Sequence, residues 1–159
     1  MAFLFDTDAV SELLRPRPAR TYLNWLVNVP REEQFTSAVV IGELYKGAYR
    51  SKACDRHLSN IEKRIIPAIT VLPFDIGTAK VFGRIRAHLE EAGTILPDAD
   101  LQIAATALGH GLVLVTGNLR HFKRIPQLKL NSILFDSRQE WILGGPGSGR
   151  PAGRPYGLL

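Results

Sequence analysis

The sequence has little of what marks several protein classes. Cysteine occurs once in 159 residues, as Cys54, so no internal disulfide is available and a stapled extracellular scaffold is excluded. The four histidines, His57, His88, His110 and His121, show no paired metal-ligand spacing, which argues against a zinc site and predicts surface residence for each. No apolar run approaches the roughly 18 residues that a membrane-spanning helix needs. Asp6 follows the opening Phe3-Leu4-Phe5 far too early for a signal peptide. A cytoplasmic protein without a membrane partner is expected.

What is present is the composition of a globular chain, 45% hydrophobic with a mean hydropathy of zero. A chain of this length buries roughly two thirds of its unfolded surface, enough for a packed core. Lys and Arg number 20 against 15 acids, a net charge of +5 that is compatible with an anionic partner without requiring one. From Gly144 onward the chain turns to Gly and Pro and carries Arg150, Arg154 and no acid. Residues 144–159 are therefore expected to form a flexible tail after a single domain at 1–143. No strand precedes these glycines and no Gly-Lys-Ser/Thr follows them, so they do not form a phosphate-binding loop.

Within the domain, short apolar runs alternate with longer stretches of helical period, the pattern of an α/β fold around a mostly parallel sheet flanked by helices. Strands are predicted at 3–5, 35–37, 69–72, 112–115 and 133–135. Helices are predicted from Ala9, Val10, Leu13 and Leu14 up to Pro16, from the stripe of Tyr22, Leu23, Trp25, Leu26 and Val29, and after Ser37. Others are predicted at 58–66, at 76–89, and over Leu101, Ala104, Ala105 and Leu108, closed by Gly109 or Gly111.

Acids and amides recur at the ends of these elements. Asp6 follows the first strand, and Thr116-Gly117-Asn118 follows the strand at 112–115, placing both at the strand ends where open α/β sheets bind ligands. Capping of the next helix is the alternative reading of Asp6 and Asn118. Glu43 interrupts the apolar stretch Ala38-Val39-Val40-Ile41-Gly42, where a carboxylate needs a partner, either Lys46 three residues on or a metal. Asp98 and Asp100 open the helix whose core face begins at Leu101. Residues two apart point in different directions, so one is expected to cap and the other to project toward the site.

Asp6, Glu43 and Asp100 thus form a candidate constellation, with Asp8, Asp98, Thr116 and Asn118 as auxiliaries. Clustered carboxylates repel one another unless a cation is present, and oxygen-only ligands select Mg²⁺ or Mn²⁺. Such an ion activates water and neutralises charge on phosphoryl oxygens.

The segments Phe5-Asp6-Thr7-Asp8-Ala9-Val10-Ser11-Glu12-Leu13-Leu14-Arg15-Pro16, Thr36-Ser37-Ala38-Val39-Val40-Ile41-Gly42-Glu43-Leu44, Asp100-Leu101-Gln102-Ile103-Ala104-Ala105-Thr106-Ala107 and Leu114-Val115-Thr116-Gly117-Asn118-Leu119-Arg120-His121-Phe122 occur in order. Together they resemble the PIN-domain ribonucleases, and among them the VapC toxins of type II toxin–antitoxin modules. The resemblance implies a three-layer PIN-like fold and a metal site at Asp6, Glu43 and Asp100, with Thr7 and Thr116 beside it. Many members of that family have a fourth acid where Asn118 stands, and Asn where Asp8 stands. The first departure removes one negative charge and bears on whether a second metal binds, for which Asp8 or Asp98 would compensate.

The implied chemistry is Mg²⁺-dependent hydrolysis of an RNA phosphodiester, with Mn²⁺ as a substitute and Asp6, Glu43, Asp100, Thr116 and Asn118 as the catalytic set. The resemblance also implies a homodimer and a cognate VapB-type antitoxin, with DNA contacted only through that antitoxin. Arg15, Arg17, Lys46 and Arg50 are suited to phosphate contacts. A rival reading is a haloacid-dehalogenase-like phosphotransferase, because Asp6-Thr7-Asp8-Ala9-Val10 fits its Asp-x-Asp-x-Val opening and makes Asp6 a nucleophile. That reading lacks a Lys followed by paired acids after Thr116, and leaves Glu43 and Asp100 without a role.

Overall fold

The computed structural model describes residues 1–142, so the proposed tail at 144–159 lies outside the described residues. Five parallel strands form one sheet in the order β3-β2-β1-β4-β5, with β1 Phe3–Phe5, β2 Gln34–Ser37, β3 Thr70–Leu72, β4 Val113–Val115 and β5 Leu130–Asn131. Parallel neighbours require crossovers, and these are helical. Helices α1 Thr7–Leu13 and α2 Arg20–Leu26 join β1 to β2, and α3 Ala38–Arg50 and α4 Cys54–Asn60 join β2 to β3. Helices α5 Ile76–Glu91 and α6 Asp98–Gly109 lead to β4, α7 Leu119–Phe122 leads to β5, and α8 Ile133–Ile142 follows.

β1 is the hub. Its residues Leu4 and Phe5 are fully buried, as are Leu114 and Val115 on β4, because a strand paired on both edges and covered on both faces has no solvent side. Phe5 aligns with Val115, so Asp6 and Thr116 leave the sheet side by side. The chain runs outward from β1 through β2 to β3 and returns to β4 on the other side of β1, which makes the gap between β1 and β4 the topological switch point.

The helices bury the expected faces: Val40, Ile41, Leu44 and Ala48 on α3, Ile85 and Leu89 on α5, and Leu101, Ala104 and Ala105 on α6. Ser37 caps α3, its Oγ accepting from Val40 N at 3.2 Å. α6 ends at Gly109, and Gly111 takes the left-handed turn, φ 65°, that carries the chain into β4. The stripe toward Val29 ends earlier as a helix, at Leu26, although Val29 is itself buried. The helix predicted at 58–66 begins four residues sooner, at Cys54, and passes through one π-type turn at Ile61–Ile65.

One strand was misplaced by the apolar pattern. Residues 133–135 open α8, and the last strand is Leu130–Asn131. Asn131 Oδ1 accepts from Ile133 N at 2.9 Å and Asp136 N bonds to Ser132 O at 2.9 Å, which starts a helix immediately after the strand. Leu134 and Ser137 then face inward at helical spacing. Leu134 is fully buried, so Leu134→Ala is expected to cost about 2–5 kcal/mol, read as a lowered urea midpoint in an equilibrium melt.

Candidate active site

Asp6 is the N-cap of α1, and its Oδ1 accepts from Ala9 N at 2.7 Å. It is 4% exposed. Burial of the carboxylate pushes its pKa up to about 7, against the pull of hydrogen bonds from the Thr116 hydroxyl and Ala9 N, while the negative charges of Asp8 and Asp100 push it further up. No cation of the described residues is paired with it. Thr116 is fully buried, and its Oγ1 accepts from Asn118 N at 2.9 Å, so one hydroxyl ties the β4 loop to the β1 acid. Thr7 Oγ1, on the residue after Asp6, is buried without any partner.

Asp100 reaches this place from the first turn of α6. Its Oδ2 lies 2.7 Å from His121 Nδ1, and the same nitrogen lies 2.9 Å from the Asn118 amide. The ring nitrogen is thus shared between the Asp100 carboxylate and the side-chain nitrogen of Asn118, which ties the turn after β4 to the first turn of α6. His121 is therefore part of the site and half-buried, a correction to its predicted surface residence. The i, i+3 spacing of Asn118 and His121, just past a buried strand, is a signal that could have found it. Asn118 occupies the cap position of α7 without a capping hydrogen bond.

The other predicted residues are occupied elsewhere. Glu43 Oε1 binds Lys46 Nζ at 2.7 Å, the intrahelical alternative, and Glu43 is absent from the charges acting on Asp6. Its helix α3 nonetheless packs against both α1 and α6, the elements of Asp6 and Asp100. Asp98 is exposed and paired with Arg86 of α5. Neither acid caps α6, whose cap position is Pro97. Asp8 is held by Arg138 in a two-pronged pair, Nη1 to Oδ2 at 2.7 Å and Nη2 to Oδ1 at 2.9 Å. With both Asp8 and Asp98 tied to arginines, neither is a free carboxylate that would compensate for Asn118.

Arg138 also bonds Glu12 Oε2 at 2.6 Å, while Glu12 Oε1 accepts from Ala19 N at 2.8 Å. Glu12 is 2% exposed, and the pairing is what makes its burial tolerable. Glu12 was legible by the argument applied to Glu43, an acid in an apolar helix; Arg138, 126 residues away in the chain, was not. Of the basic candidates, Arg15 leans on Glu12 at 3.4 Å, and Arg17 and Arg50 are exposed.

A pocket of about 540 Å³ opens elsewhere, lined by Val10, Leu26, Val29, Ile65 and their neighbours, with none of the site carboxylates in its wall. Among the described residues no three Asp, Glu, His or Cys side chains enclose an ion on their own. Asp6, buried without a cationic partner, and Asp100, whose charge bears on it, offer oxygen donors only, the chemistry that a hard cation would take.

The PIN domain family profile matches residues 3–128. The chain belongs to the PIN-domain family. This PIN domain is 31% identical over 129 residues to ribonuclease VapC2 of Haemophilus influenzae, covering 81% of this chain and 96% of that one. It is 34% identical over 130 residues to the tRNA(fMet)-specific endonuclease VapC of Salmonella typhimurium, covering 82% and 96%. Among solved structures, VapBC2 of Rickettsia felis bound to a promoter DNA fragment aligns with a TM-score of 0.76 at 28% identity, over 82% of this chain and 98% of that one. The dehalogenase-like reading finds no support in these matches, and Asp8, the second acid it needs, is locked to Arg138.

Burial of Asp6 gives the cation-free PIN domain a pH-dependent stability. The folded state holds the Asp6 proton up to about pH 7 and the unfolded chain releases it near 3.8, so stability falls as pH rises between these values, by on the order of a few kcal/mol. Asp6→Asn keeps the capping oxygen and removes the charge. In chelator, differential scanning calorimetry is expected to show a higher Tm for this variant than for the parent at pH 8, and a smaller difference at pH 5.

Proposed function

We propose that this PIN domain is an endoribonuclease toxin of a type II toxin–antitoxin module that hydrolyses RNA phosphodiester bonds with Mg²⁺, or Mn²⁺ in its place. The observation that carries the proposal is Asp6, a carboxylate buried at the switch point with its pKa pushed up and no cationic partner, beside Asp100 and Thr116. A site that destabilises its own negative charge is prepared for a cation.

Asp6, Asp100 and Glu43 are the residues proposed to hold the ion. When bound there, the cation neutralises phosphoryl charge and lowers the pKa of water at neutral pH. Glu43 must leave Lys46 to take part, which costs little because exposed ion pairs contribute about 0–1 kcal/mol. Thr116 donates to Asp6 and fixes which oxygens of that carboxylate face the site. His121 holds one oxygen of Asp100 and leaves the other free, and the Asn118 amide orients the nucleophilic water. Asn118 in place of an acid supports one cation rather than two. Arg17 and Arg50 are free to meet phosphates, and Arg15 and Lys46 flank them.

The biological setting follows from the relatives. The Rickettsia felis and Salmonella typhimurium proteins in solved structures are VapBC assemblies on DNA, which supports a VapB-type antitoxin as partner; a homodimeric toxin that meets DNA only through that antitoxin is part of the same proposal. None of the described helices is long and apolar enough to cross a membrane, and the proposed compartment is the cytoplasm.

The test is cleavage of end-labelled cellular RNA, with tRNA(fMet) included because the Salmonella relative is named for it. The purified protein is expected to cut with Mg²⁺, to stop in chelator and to leave 5′-phosphate ends. Asp6→Asn and Asp100→Asn are each expected to lower the rate by about a thousandfold or more, the several kcal/mol that a cation contributes to phosphoryl chemistry. Full cleavage by either variant overturns the assignment.

A further inference from the structure

We infer that Arg138 is a positioning residue for the cation site, an internal counter-ion that keeps Asp8 out of the ion's reach and holds the Thr116-Gly117-Asn118 loop in place. The inference rests on the cation reading above and concerns a residue of α8, beyond the stretch 3–128 that matches the family.

Three observations converge. The Arg138 guanidinium meets Asp8 with two parallel hydrogen bonds at 2.7 and 2.9 Å, the fork geometry that fixes a carboxylate's direction as well as its charge. Asp8 lies two residues from Asp6 and its negative charge bears on Asp6, so a free Asp8 would offer the ion a further ligand. Finally, the loop between Thr116 and Asn118 rests directly on this pair. A Cβ added to Gly117 would stand 2.7 Å from Arg138 Nη1 and closer still to Asp8 Oδ2. The pair therefore fills the space under the loop, and only glycine lets the backbone approach it.

Glu12 keeps the guanidinium from swinging away. It takes Nη2 at 2.6 Å and Nε at 3.2 Å, and its other oxygen is held by Ala19 N. Arg138 is thus held by two carboxylates at once, and its pKa is raised by both, so its charge is constant at any working pH.

A staple that only held α8 to α1 would change stability and leave cation affinity alone or weaken it. A counter-ion predicts the opposite sign. Mn²⁺ titration calorimetry at pH 7.5 on the wild type, Asp8→Asn, Arg138→Gln and the double variant separates the two, with circular dichroism as the check on folding. Asp8→Asn is expected to bind Mn²⁺ within about twofold of the wild type, because Arg138 already holds both oxygens of that carboxylate away from the ion. Arg138→Gln is expected to bind about tenfold more tightly, since it leaves an unpaired carboxylate near a divalent ion. Adding Asp8→Asn to it is expected to restore the wild-type affinity to within about twofold. Unchanged or weaker affinity in folded Arg138→Gln overturns the inference. If that variant does not fold, Asp8→Asn decides alone, because a tenfold loss there would make Asp8 a ligand. Absence of Mn²⁺ binding by the wild type overturns the cation reading itself.

Discussion

The structure turns on a buried carboxylate that has no cationic partner among the described residues. Asp6 sits where the first strand gives way to the first helix, and its burial is enforced by the sheet: β1 lies between β2 and β4, and Thr116 arrives beside it from β4. The chain offers this acid hydrogen bonds from Ala9 and Thr116, and these do not offset the loss of hydration. The acids around it, by contrast, have side-chain partners of the chain's own. Asp8 and Glu12 have Arg138, Asp100 has His121, and Glu43 has Lys46. The asymmetry is the functional statement, because a fold optimised for stability alone would not leave one buried acid unmatched.

Much of the fold was legible because it rests on local pattern. The buried strands at 3–5 and 113–115 announce themselves by uninterrupted apolar residues, and the helices of α3 and α6 by spacing of their buried faces. The failure at 133–135 is instructive: three apolar residues in a row carry no period, and the decision for helix is made by Asn131 and Ser132, polar residues just upstream. Asp6 and Thr116 were legible for the same topological reason, each following a buried strand.

Long-range pairing hid the rest. Nothing around Arg138 announces a partner in the first helix, and the same holds for Arg86 and Asp98. His121 was read as a lone histidine because its meaning depends on Asp100, 21 residues away. Sequence therefore exposes the groups that chemistry needs more readily than the groups that hold them still. The former must sit at the ends of regular elements, and the latter need only arrive in the same space.

The strand order has a consequence in time. β1 is completed only when β4, more than a hundred residues further along the chain, pairs with it, and the Arg138 that braces its exit lies further along still. Parallel pairings between distant segments are slow to form. Until that pairing forms, Asp6 is exposed and ordinary. The centre comes into being with the slow long-range contacts of the fold and not with its local helices.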